Sequence, residues 1–183
     1  MRALTKIVSA GTSFLVALAG LAVVTPTSLA APSATKVSYS GSTTITFDRA
    51  LKAVANRVVV LAPAKKEGCS LTFPVVGVEG NGILLAGGTR AGTDPVMTTK
   101  DNGTGSVSLT VNGASVEVFT IKNWAVHRTS KEGNVTTQVW RGNLYLTKNQ
   151  VVVDGMNAGA GKNLFKVGQG LGTIRAIVKA TKG

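Results

Sequence analysis

Very little in this 183-residue chain is equipped for catalysis or metal binding. It has one cysteine, one histidine, eight carboxylates and 5% aromatic residues. The lone Cys69 excludes an intrachain disulfide, and its place in Gly68-Cys69-Ser70-Leu71-Thr72-Phe73 reads as one position of a strand with an inert, buried thiol. The lone His127 excludes a metal-binding histidine pair and leaves at most one imidazole base. A Ser-His-Asp hydrolase would have to use His127, whose neighbours Val126 and Arg128 fit a strand. A small secreted hydrolase is therefore the third reading, behind two binding functions. Gly159-Ala160-Gly161-Lys162 lacks the first glycine of a phosphate loop, where Met156 stands, and Asn163 replaces the magnesium-binding Ser or Thr. Nucleotide binding is excluded on those grounds.

The chain also lacks an apolar run long enough to span a bilayer. The stretch from Ile7 to Val24 is broken by Ser9, Gly11, Thr12, Ser13 and Gly20, whereas a span needs roughly 20 apolar residues. Arg2 and Lys6 precede it, and Ser28 and Ala30 follow at cleavage-site spacing, the three parts of a secretory signal peptide. The expected organisation is a signal peptide over 1–30, a flexible leader over 31–36 and a single β-rich domain over 37–183. The mature protein is expected to be secreted, extracellular or loosely held at the cell surface.

Basic residues are in excess. Twenty Lys and Arg against eight Asp and Glu give +12. Loss of Arg2 and Lys6 leaves +10, a field that concentrates anionic polymers and surfaces around the domain. The basic residues are scattered and do not interleave with aromatics, which argues against nucleic acid. An anionic cell-wall polymer or lipid surface is the expected partner, contacted by Lys65, Lys66, Lys100, Arg128, Lys131 and Arg141. Trp124 and Trp140, on neighbouring strands, form a possible aromatic platform, with core packing the alternative for at least one of them.

Strand signals run through the rest. Asn112-Gly113 between Gly105–Val111 and Ala114–Val118 marks a two-residue hairpin turn. The implied register sets Val111 against Ala114, Leu109 against Val116 and Val107 against Val118 on one buried face, with Ser108, Thr110, Ser115 and Glu117 outside. A bulge at Val118-Phe119 then changes the phase of the alternation. Further strands are expected over 37–47, 57–61, 71–76, 82–85, 124–129, 135–140, 144–147, 151–153, 164–167 and 174–178, with residues 130–134 forming a five-residue hairpin loop. One short helix over residues 49–56, capped by Asp48, places Leu51, Val54 and Ala55 on one face. The glycine-rich stretch 155–172 reads as a mobile loop or a set of bulges. The fold class is all-β, an antiparallel β-sandwich or irregular barrel with one short helix.

The order of Gly41-Ser42-Thr43-Thr44-Ile45-Thr46-Phe47, a short helix, Leu71-Thr72-Phe73-Pro74-Val75-Val76-Gly77 and Asn112-Gly113-Ala114-Ser115-Val116-Glu117-Val118 resembles secreted actinobacterial β-domains. Within them it is similar to the haem-transport-associated (HtaA) domain over roughly residues 40–126. The resemblance implies a β-rich surface domain with a small helix that binds haem through a tyrosine supported by a histidine. This chain departs from that pattern. No tyrosine follows Phe47 in Phe47-Asp48-Arg49-Ala50-Leu51, and His127 follows Val126 rather than a glycine. His127, Tyr39, Tyr145 or Met97 would have to supply an axial ligand instead. The leading expectation is a non-enzymatic binding domain without cofactor, the alternative a haem-binding module.

Overall fold

The Asn112-Gly113 turn is where the sheet's geometry is set most tightly. Both residues have positive φ, 49° and 79°, the combination that matches a two-residue turn to the twist of its strands. Val111 pairs with Ala114 and Leu109 with Val116 as the alternation requires. The bulge falls one residue earlier than the sequence implied. Ser108 pairs with Glu117 and Val107 with Phe119, so Val118 is the extra residue. Val118 and Phe119 are thereby both brought toward the interior, and each lines the cavity described below.

The computed structural model describes residues 36–90 and 92–183. The expected signal peptide and all but the last residue of the expected leader lie outside the described residues. In chain order the strands are β1 (Val37–Phe47), β2 (Val60–Leu61), β3 (Lys65–Glu67), β4 (Ser70–Glu79), β5 (Gly82–Leu85) and β6 (Gly88–Thr89). They continue with β7 (Gly92–Thr99), β8 (Gly105–Val111), β9 (Ala114–Glu132), β10 (Val135–Leu146) and β11 (Gly170–Lys182). Helix α1 (Lys52–Arg57) follows a 3-10 turn over Arg49–Leu51, and α2 (Gln150–Ala160) precedes β11.

Strands β7, β5, β4, β1, β11, β10, β9 and β8 pair in that order, and β8 pairs back onto β7. The sheet is therefore an eight-stranded closed barrel, the barrel alternative of the expected fold class. Closure removes most of the unpaired edges that an open sheet would present. All pairings are antiparallel, and β2, β3 and β6 are short additions outside the closed ring.

Inward residues alternate as a half-buried strand demands. On β1, Thr43 and Ile45 are buried while Ser42, Thr44 and Thr46 face outward, and on β11 Leu171, Ile174, Ala176 and Val178 are buried. One end of the barrel is filled by Trp124, which stacks on Trp140 with ring centroids 5.7 Å apart and planes at 9°. The other end is covered by α1 and α2.

Several local expectations are corrected. Asp48 makes no side-chain cap, and its carbonyl instead accepts from Leu51 N as the chain tightens into the 3-10 turn. The Val151-Val152-Val153 run lies in α2, not in a strand. Asn149 Oδ1 accepts from Val151 N at 3.1 Å and Gly161 closes the far end in the left-handed conformation, and these two caps outweigh β-branched propensity. Half of the glycine-rich stretch is thus helix and strand, residues 161–169 are the loop between them, and residues 164–167 form no strand. Of 57–61 only Val60–Leu61 is extended, because α1 runs to Arg57. The β9–β10 connection is a two-residue turn at Gly133-Asn134, with Glu132 paired to Val135, rather than a five-residue loop. Cys69 sits half-buried in the turn between β3 and β4, where Gly68 takes φ +56°.

Candidate functional site

A cavity of about 690 Å³ opens beneath the two helices at one end of the barrel. That volume lies within the range of small-molecule sites, roughly 300–1,000 Å³. Its floor is made by inward residues of the barrel, among them Ile45, Phe73, Val107 and Leu171. The β8–β9 hairpin contributes Leu109, Val111, Val116 and Val118, the face that the alternation around Asn112-Gly113 defines. The 3-10 turn adds Leu51 and helix α1 adds Val54. From α2 come Val152, Met156 and Ala160, spaced four apart on one helical face. The two helices are tied together where Arg57 Nη1 donates to Ala160 O at 3.1 Å.

The charge at this site is of one sign. Arg57, Arg90 and Lys162 line the cavity, and among the described residues no Asp or Glu does. Each of the three is exposed, so the cations sit where the cavity meets water. An apolar chamber with a cationic mouth suits a molecule with a large apolar body and an acidic end. Among the described residues the lining holds no carboxylate, histidine, tyrosine, cysteine or serine.

The residues singled out from the sequence lie elsewhere. His127 is exposed on β9 as the bulged residue between Val126, paired to Trp140, and Arg128, paired to Val139. No side chain among the described residues hydrogen-bonds it, so no triad is assembled around it. Tyr39 is on β1 opposite Ala180, Met97 is fully buried on β7, and Tyr145 lies on β10 with Lys122 Nζ 4.5 Å above its ring. None of these four lines the cavity. Among the described residues no group of His, Cys, Asp and Glu could hold a metal ion.

The basic candidates are dispersed. Lys66 is a structural residue: its Nζ donates to Asn56 O at 2.9 Å and Val58 O at 3.0 Å, closing the C-terminal end of α1. Lys65 is beside it on β3, and Lys100 lies in the β7–β8 connection. Arg128 and Arg141 do share the outer face of β9 and β10, where Arg141 stands directly opposite Arg175 of β11. Lys131, opposite Thr136, points to the other face. The Trp124–Trp140 pair is part of the packing, with Trp124 5% exposed, and neither ring reaches the cavity.

Sequence reasoning had found α1 and the β8–β9 face, yet missed that they converge. The missing piece was α2, for which the available signal was Asn149 before and Gly161 after an i, i+4, i+8 spacing of Val152, Met156 and Ala160.

No protein-family model matches this chain, and no curated protein matches it in sequence. Solved structures do match it in fold. The C-terminal domain of HtaA from Corynebacterium glutamicum aligns at a TM-score of 0.48 and 13% identity, over 80% of this chain and 99% of that one. The haem-binding protein HtaB from Corynebacterium glutamicum aligns at a TM-score of 0.56 and 14% identity, over 82% of this chain and 98% of that one, so the barrel described here is similar in fold to that of HtaB.

Proposed function

We propose that this domain is a non-enzymatic binding module that takes a predominantly apolar ligand with an acidic end into the barrel cavity. The observation that carries this reading is the lining itself, apolar throughout its depth and cationic at Arg57, Arg90 and Lys162. Haem is the ligand that the fold likeness brings into consideration. The chamber suits a porphyrin's apolar body, and the three cations suit its carboxylates. The iron is another matter. Among the described residues Met156 is the lining residue with a donor atom of the kinds that hold haem iron, and no histidine, tyrosine or thiolate is part of the lining. The residues here therefore fit the macrocycle and not its metal.

Titration of the purified protein with haemin and, separately, with oleate, each followed by displacement of a fluorescent fatty-acid analogue, tests the reading. Saturable one-to-one binding of either ligand supports it. Failure of every amphipathic anion to bind sinks it.

A second reading concerns where the module works. Arg128, Arg141 and Arg175 share an outer face on which Arg141 and Arg175 are direct cross-strand neighbours, and among the described residues neither has a carboxylate partner. Such a pair is relieved by an external anion. It supports docking on an anionic wall polymer or lipid surface at or near the cell envelope, in keeping with the signal peptide expected over residues 1–30.

A further inference from the structure

Helix α2 carries two glycines, Gly155 and Gly159, one turn apart, and both line the cavity on either side of Met156. Glycine inside a helix weakens it relative to alanine, so a reason is wanted. Backbone conformation is not the reason, since neither has positive φ, whereas Gly161 at the end of the helix does. Crowding is not the reason either. A methyl group at Gly155 or Gly159 would meet nothing within 4 Å. What the missing side chains do is enlarge the chamber along the wall that α2 provides.

We infer that the cavity is a metal-independent acyl-chain site, holding a long-chain anion with its tail along the Gly155–Gly159 face of α2 and its head at Arg57, Arg90 and Lys162. The inference rests on the ligand-binding reading above and names the class of ligand. Three further features support it. The lining offers bulk apolar contact, which suits a flexible chain as well as a rigid ring. The cations are exposed at the mouth, so a charged head stays hydrated while the tail is buried. Val59 and Leu164, also part of the lining, are 43% and 41% exposed and give the mouth an apolar lip over which a chain can enter.

The deciding experiment compares four ligands on the purified protein by displacement of the fluorescent fatty-acid analogue: oleate, oleyl alcohol, haemin and metal-free protoporphyrin. A fifth, lysophosphatidylglycerol, distinguishes a free fatty acid from a lipid headgroup as the source of the anion. The expected result is saturable binding of oleate or lysophosphatidylglycerol, with haemin no tighter than protoporphyrin. Arg90→Glu with Lys162→Glu should weaken the anion about tenfold and leave oleyl alcohol unchanged. Gly159→Leu should block the acyl ligands, while Gly155→Ala keeps or raises the melting temperature and shows that the helix tolerates substitution there. Haemin binding that exceeds protoporphyrin tenfold or more, with a Soret band lost in Met156→Leu, overturns the acyl-chain assignment and leaves the binding module standing. Oleate bound equally well by Gly159→Leu overturns the assignment to this wall. Failure of all five ligands overturns the module itself.

Discussion

Gly142 seats Trp124: a methyl group at position 142 would come within 3.0 Å of Trp124 Cε3 and 2.8 Å of Ile121 Cγ2. The indole is held flat on Trp140 by this close approach of strand β10. Gly142→Ala is expected to cost about 1–3 kcal/mol, as overpacking of a filled core does. The near-UV circular dichroism of the stacked pair should weaken with it. An unchanged spectrum and an unchanged urea midpoint would show that the stack does not depend on Gly142.

Gly172 plays a comparable part at the cavity end. It pairs with Phe47 where β1 hands the chain to α1, its φ is +144°, and a side chain there would collide with the Thr46 carbonyl. Gly172→Ala should therefore cost more than about 2 kcal/mol. Gly170→Ala supplies the contrast, since a methyl there would meet only Tyr145 at 3.8 Å with no positive φ to strain. Its effect should stay within about 0.5 kcal/mol. Equal midpoints for the two variants in urea would remove the argument.

Thr43 and Thr44, adjacent on β1, should respond to valine with opposite signs. Thr43 points into the barrel, fully buried, and its hydroxyl has no partner among the described residues. Thr44 points outward, and its hydroxyl hydrogen-bonds that of Thr72 across the β1–β4 pair at 3.1 Å. A buried unsatisfied hydroxyl costs about 1–3 kcal/mol, whereas a made hydrogen bond contributes about 1. Thr43→Val should raise the unfolding free energy by about 1 kcal/mol, and Thr44→Val should lower it by a smaller amount. Denaturant melts of the two variants settle the sign.

The parts of this molecule that sequence reasoning reached are those where a local rule and the tertiary structure agree. Strands β1 and β5 have the expected bounds, and the Asn112-Gly113 turn sets the register of Leu109 and Val116 because two positive φ angles leave the strands little choice. The local alternation marked the change of phase at Val118-Phe119 but not which of the two residues is left out of the pairing, and it is Val118 rather than Phe119. Helix α2 was hidden by three consecutive valines that favour a strand and by glycines that favour neither. Its caps, Asn149 and Gly161, carried the information instead. The cavity was illegible for a more basic reason. Its wall is drawn from segments as far apart as Leu51, Leu109 and Met156, and only closure of β8 onto β7 makes them neighbours. The emphasis on His127 and the tyrosines followed chemistry that a residue type permits, whereas His127 is exposed at the β9 bulge and Tyr39 packs against the core toward the opposite end of β1 from Phe47.

Arg141 opposite Arg175 is a pairing that a fold optimised for stability alone would avoid, because like charges directly across a sheet repel. Arg141→Glu converts the pair into an attractive one on an exposed face, for a gain of a few tenths of a kcal/mol at low salt. At 1 M salt that gain should vanish, since the screening length falls to about 3 Å. The same change reverses one charge in the cluster with Arg128 and should make the protein leave an immobilised polyanion at lower salt. A stabilised variant with weakened polyanion retention is the expected pair of outcomes. Retention that does not move when Arg141 changes sign would place any polyanion contact on another face of the barrel.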